Sequence, residues 1–349
     1  MFCCDPDASH HPLPRRASAG YTFIRGKQPE TEDTFLKYDP LPSWRNTETK
    51  ETILSYVKSV TDPDFKDHIP AEDRIAVSDF DGTLVGENGG IDVPGWIEIE
   101  LLRHVLNERF PSSESVQSLL HTYDRLAERL AADPDPDRSE EGAYWDAYFK
   151  VAGLAFSGLT VEEACGLIAA QMEKEYTPGV PFTGMAYVPM QELYAFLTEN
   201  GFRFHVVSGS GRNTIYAVCH ELFTFRNEGI PYARCIGMDF EIARKGTGNR
   251  FRMEQTERVV NLNIDDGKCE NVMRETGKTP VLAIGNDLPD EAMLNWALSN
   301  GRYRALSVYI LHDDGERERC YGTEQGIRLC RKNGWLPVSM RKDFGRIFG

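Results

Sequence analysis

A chain of 349 residues, 41% hydrophobic and 27% charged, can bury a sizeable core and is longer than an average domain. Its formal net charge of −15 excludes the broad basic surface that nucleic acid requires. No apolar run approaches the roughly 20 residues that span a bilayer. The eight cysteines form no C-x-x-C pair, so neither a zinc site nor a disulfide framework is expected. The first twenty residues hold no apolar leader segment, and the expected compartment is the cytoplasm.

In chain order, residues 1–42 are rich in Pro, Ser, His and charge, without periodicity, and read as an irregular arm. A helix is expected from Asn46 or Thr47, with Ile53, Leu54, Val57 and Val60 on one face. "RIAVSDF" then reads as a strand. Residues 86–186 carry successive helical patterns broken at "DPDPDRSE", the last of them opened by a capping box of Thr160 with Glu163. From 187 onward strands and helices alternate. The fold class expected is α/β: a mostly parallel sheet flanked by helices, built from 43–85 and 187–349. A helical segment over 86–186 interrupts it after the first strand. Ligands of open α/β sheets bind at the C-terminal ends of the strands, where this interruption falls.

Four short stretches carry candidate chemistry. In Asp79-Phe80-Asp81-Gly82-Thr83 two carboxylates leave a strand end together, which is costly unless a cation joins them or one stays protonated. A hard ion such as Mg²⁺ meets that need, and Gly82 permits a tight turn with amides facing an anion. In "VVSGSGR" the Ser208 hydroxyl and the amide of Gly209 precede a helix, a setting for anions. Lys268 opens a further helix and supplies an ammonium. In "AIGNDLPDEAML" a strand is followed by Asn286, Asp287 and Asp290, oxygen donors suited to the same metal. The stretch "LHDDGERE", with His312 and Arg317, reads equally as part of a site or as an exposed turn. Of the aromatic residues Trp96, Tyr144, Trp145, Tyr148 and Phe149, most are expected in the helical core, and one or two could line a pocket.

The order D-x-D-G-T, S-G, K and G-N-D-x-x-D resembles the four motifs of the haloacid dehalogenase (HAD) superfamily. The inserted helical segment resembles the cap of its C1 members, the branch that includes phosphoserine phosphatase. The resemblance implies a Mg²⁺-dependent phosphatase acting on a small phosphorylated metabolite through an aspartyl-phosphate. It implies Asp79 as nucleophile and Asp81 as general acid and base. Ser208, Lys268 and the amides of Gly82 and Gly209, with Thr83 beside them, would hold the phosphoryl group. The metal would sit among Asp79, Asp81, Asn286, Asp287 and Asp290. Asn286 stands where many members have an acid, which leaves two readings open: its amide oxygen ligates the metal, or Asp287 does. A phosphomutase and a weakly active phospho-ligand binder are the alternatives, and a phosphorylated amino acid or amino alcohol is the first expectation for the substrate.

Overall fold

The computed structural model describes residues 39–86, 97–132, 138–177 and 179–349. Most of the expected N-terminal arm and Trp96 therefore lie outside the described residues, and Asp39–Gly349 form one compact unit. Helix α1 (Glu48–Thr61) is capped by the Thr47 hydroxyl and buries Ile53, Tyr56, Val57 and Val60. Strand β1 (Ile75–Ser78) follows and is buried along its whole length, as a central parallel strand covered on both faces must be. Next come the helices α2 (Ile97–Arg109), α3 (Glu114–Ala132), α4 (Arg138–Phe156) and α5 (Val161–Ala169). The expected Thr160–Glu163 capping box is present at the start of α5. That helix ends sooner than its sequence pattern reads, because the chain turns into the small hairpin β2 (Glu175–Thr177) and β3 (Val180–Pro181).

The alternating part begins with α6 (Val188–Glu199), closed by Gly201 in the left-handed region at φ +77°. Strand β4 (Arg203–Gly211) and helix α7 (Arg212–Leu222) follow, then the short pair β5 (Thr224–Phe225) and β6 (Glu228–Gly229). A long antiparallel hairpin, β7 (Cys235–Thr247) and β8 (Arg250–Asn261), leads to α8 (Asp266–Thr276). The chain closes with β9 (Leu282–Gly285), α9 (Glu291–Leu298), β10 (Leu306–Leu311), α10 (Thr323–Asn333), β11 (Leu336–Ser339) and α11 (Met340–Asp343).

Seven strands form one sheet in the order β11-β10-β9-β1-β4-β7-β8, parallel except for the final pair. The α/β class with a mostly parallel, helix-flanked sheet is thus the observed one. Alternation along β1 splits the core between the two faces. Ile75 and Val77 join Val272, Met293, Leu294 and Cys330 from α8, α9 and α10. Ala76 joins the larger cluster, with Ile53, Leu193 and Ile215 from α1, α6 and α7. Among the described residues no single helix is long and apolar enough to cross a membrane.

Register places the site. Ser78 pairs with Val206 of β4 on one side and with Ile284 of β9 on the other. Asp79, Ser208 and Asn286 therefore leave three adjacent parallel strands at nearly the same level. Opposite β7, strand β4 advances from Val207 to Gly211 while its partner advances only from Ile236 to Met238. The surplus residues bulge, and the bulge carries Ser208, Gly209 and Ser210. A bulge at a strand end re-aims side chains that a regular ladder would send to opposite faces.

Candidate active site

The three strand ends, the start of α8 and one residue of α4 enclose a cavity of about 400 Å³. Its lining includes Asp79, Asp81, Ser208, Gly209, Lys268, Asn286, Asp287 and Asp290, so eight of the ten residues singled out in the sequence meet in one place. Trp145 from α4, Ser210, Ile264, Asp265 and Pro289 complete the wall. Gly82 and Thr83 lie behind it.

Lys268 is buried and donates to Asp79 Oδ1 and to Asp290 Oδ1, each at 2.6 Å. Burial alone would lower the pKa of this ammonium, but the two carboxylates outweigh it and keep the lysine protonated. The same burial, with Asp290 close by, pushes the Asp79 carboxyl well above the usual carboxylate range, and Lys268 only partly opposes this. One ammonium cannot offset every acid around it. Asp290 has little capacity to spare: its Oδ2 accepts the amides of Asn286 at 2.9 Å and Asp287 at 3.2 Å. It fixes the turn after β9 as well as the lysine.

Asp81 faces the bulge of β4. Its Oδ2 accepts from Ser210 Oγ at 2.8 Å and Ser208 Oγ at 3.2 Å, and Ser208 Oγ accepts in turn from the Ser210 amide. Burial raises its pKa, and these two hydroxyls oppose the rise. Its other oxygen, Oδ1, is buried without a hydrogen-bond partner among the described residues. Ser210 was not among the residues expected from sequence, although the repeated S-G of "SGSG" is a visible trace of it.

The turn after β1 departs from expectation. Gly82 has φ +70°, the left-handed conformation that favours glycine, but its N–H donates to the Val85 carbonyl at 2.9 Å. That amide is spent on the turn and is not turned toward an anion. A Cβ on Gly82 would lie 2.3 Å from Asn286 Nδ2, so the position also needs glycine for space. Thr83 Oγ1 donates to Asn286 Oδ1 at 2.8 Å, making Thr83 a holder of Asn286. Tyr321 OH accepts from Asn286 Nδ2 at 2.9 Å.

The "LHDDGERE" stretch divides. His312 is buried, with Nε2 2.8 Å from the Gly82 carbonyl and Nδ1 2.8 Å from Glu318 Oε2. Glu318 also accepts from the buried Tyr187 hydroxyl. A carbonyl only accepts, so Nε2 carries a proton, and the histidine holds the turn that follows Asp81. Asp313 and Arg317 instead bind down residues 339–345 through Ser339, Met340, Phe344 and Gly345.

Among the described residues no three His, Cys, Asp or Glu side chains are gathered as a ready cation cage. The donor set is mixed, and it fits a hard ion on charge. One lysine binds Asp79 and Asp290, and among the described residues Asp81 Oδ1 has no partner. Asp287 is exposed at the cavity edge, where its Oδ1 accepts the Leu288 amide at 2.7 Å.

A further acid was not found by sequence reading. Glu98, on the first turn of α2, is fully buried and accepts from the Gly211 amide, Thr214 Oγ1 and Tyr148 OH. Burial pushes its carboxyl up to about 6, with the Tyr148 and Thr214 hydroxyls pulling it back. The helix N-terminus expected to receive an external anion thus already holds one of the chain's own carboxylates.

No family model matches the chain, and no curated protein matches it. Solved structures are similar at low identity. A conserved, functionally unknown protein from Anaerococcus prevotii is 16% identical, with a TM-score of 0.49, over 83% of this chain and 91% of that one. Cytosolic 5′-nucleotidase IIIB bound to cytidine is 14% identical, with a TM-score of 0.44, over 82% and 91%. A phosphoserine phosphohydrolase-like protein from Francisella tularensis is 13% identical, with a TM-score of 0.37, over 73% and 98%. At such identities and TM-scores, none of these likenesses says what this chain does.

Proposed function

We propose that the chain is a Mg²⁺-dependent phosphatase of small phosphomonoesters, working through an aspartyl-phosphate on Asp79. The observation that carries this reading is one cavity holding a lysine-bound carboxylate, Asp79, and a second carboxylate, Asp81, bound by the hydroxyls of Ser208 and Ser210. Asp79 Oδ2 attacks phosphorus and the bond from phosphorus to the leaving oxygen breaks. The carboxylic acid of Asp81 gives its proton to that oxygen, a role that a buried carboxyl of raised pKa suits. Asp81 then takes a proton from water, whose oxygen attacks phosphorus, breaks its bond to Asp79 and frees phosphate. Lys268, Ser208 and the Gly209 amide hold phosphoryl oxygens. Mg²⁺ would be held by the Asp79 carboxylate, the Asp81 main-chain carbonyl and the side chain of Asn286 or Asp287. When bound it supplies positive charge to the phosphoryl oxygens. Helices α2–α5 act as the cap, with Trp145 against the leaving group.

A chromogenic aryl phosphate is the test. Turnover is expected with Mg²⁺, lost in EDTA and restored by excess Mg²⁺. Turnover unchanged in EDTA would remove the metal from the reading, and binding of phosphate esters without turnover would make the chain a phospho-ligand binder.

The cavity wall also bears on the leaving group. Among the described residues, five aspartates and one lysine line it, with no arginine. Where Asn286 holds the metal, Asp265 and Asp287 remain in the wall with no cation partner among the described residues. A unit charge a few ångströms from two carboxylates in partly solvated surroundings is worth about 1–2 kcal/mol. The two substrates differ by two unit charges, so we expect an aminoethyl phosphate to be hydrolysed about 30-fold faster or more, in kcat/KM, than a carboxymethyl phosphate of equal length. Equal rates would show that the rim does not select by charge.

A further inference from the structure

Glu98 is an expensive residue where it stands. A carboxylate with no exposed surface, ionised at neutral pH, must be matched by donors. Three groups supply them. The Gly211 amide lies 2.9 and 3.1 Å from its two oxygens, Thr214 Oγ1 2.7 Å from Oε1, and Tyr148 OH 2.5 Å from Oε2. Tyr148 belongs to α4, whereas Gly211 and Thr214 belong to the start of α7. Gly211 is the N-cap of α7 and has no side chain to cap with. Glu98 does that work from an element 113 residues earlier in the chain. A Cβ on Gly211 would come within 2.7 Å of Glu98 Oε1, so the two positions are matched in shape as well as charge.

The contact does not end at the helix. Gly211 closes the β4 bulge, and the residue before it, Ser210, donates to Asp81 Oδ2 at 2.8 Å. Thus a carboxylate of the inserted helices binds the residue next to the one whose hydroxyl orients Asp81. We propose that Glu98 is a positioning residue for Asp81: by seating α2 on the start of α7, it fixes the Ser208–Gly211 bulge so that both serine hydroxyls meet the acid. The inference rests on the phosphatase reading and adds to it a link between the inserted helices and the proton-transfer step.

That role has a signature that loss of fold or of substrate binding lacks. An alkyl phosphate has a poor leaving group and needs the proton from Asp81 as its bond breaks. An activated aryl phosphate leaves as a stable phenolate and scarcely needs it. In Glu98→Gln the amide nitrogen faces a donor from Gly211 or Thr214, which disrupts the seat at nearly unchanged volume. We expect its kcat/KM, which reports the step that expels the leaving group and not the later hydrolysis common to both esters, to fall on the order of 10- to 100-fold for an alkyl phosphate and about threefold or less for the aryl phosphate. Thr214→Val removes one donor from the α7 side and leaves Glu98 in place. It should show the same bias at smaller size, and it keeps the question open to test should Glu98→Gln not fold. Equal loss for both esters in folded variants, or no loss for either, overturns the positioning role while the phosphatase stands. Wild-type protein that hydrolyses neither ester overturns both.

Discussion

Lys268→Met is expected to cost the fold about 3–5 kcal/mol at neutral pH, because it strips the cation from two buried carboxylates while leaving the volume filled. Lys268 is 3% exposed and binds Asp79 and Asp290 at 2.6 Å each. The sign of the pH dependence is fixed by the same geometry. Burial and Asp290 already push the Asp79 carboxyl above its ordinary value in the wild type, and without the lysine no charge among the described residues opposes them. Between its ordinary value near 4 and its raised native value, the folded variant binds a proton that the unfolded chain does not. Stability must then fall as pH rises through that window and recover as pH drops toward 5. Urea unfolding at pH 7 and pH 5 measures this directly. A variant as stable as the wild type at pH 7 would show that the lysine is not the counter-charge of the two acids.

Asp79→Asn is expected to lower aryl phosphate turnover by at least about a thousandfold, since the amide oxygen is too weak a nucleophile to open the ester. The fold should survive it. The substitution keeps the shape of the side chain, leaves Lys268 paired with Asp290, and removes one of two acids that repel each other. Its melting temperature should therefore equal or exceed that of the wild type. Wild-type protein quenched in acid during turnover should carry a phosphoryl group on Asp79, seen by mass spectrometry, and the variant should carry none. Equal turnover in the two proteins would move the nucleophile elsewhere, with Asp81 the next carboxylate to replace.

Much of this site was legible in the chain because its parts sit at strand ends, and strands announce themselves by composition. "RIAVS", "FRFHVVS" and "PVLAIG" are apolar runs that stop at polar residues, so Asp79, Ser208 and Asn286 could be placed at strand termini without coordinates. Parallel pairing at one level then brings such termini together. Less visible was what each group does once there. The Gly82 amide reads as a free donor in "DGT", yet a contact with Val85, three residues on, consumes it. Thr83 reads as a phosphate contact, yet its hydroxyl turns to Asn286, 203 residues away.

The sequence by itself determined the α/β class and pointed to eight of the thirteen residues that line the cavity. Periodicity and strand-end chemistry are local properties, set by neighbours within a few residues. Only the tertiary structure decided which hydrogen-bonding groups remain available there. Asp290 is occupied on both oxygens, Ser210 shares Asp81 with Ser208, His312 steadies the turn, and Glu98 caps α7 from across the fold. Nearly all buried donors and acceptors find partners, and most of the partners named here lie tens to hundreds of residues apart. Their choice is settled by packing, which no short stretch of chain encodes.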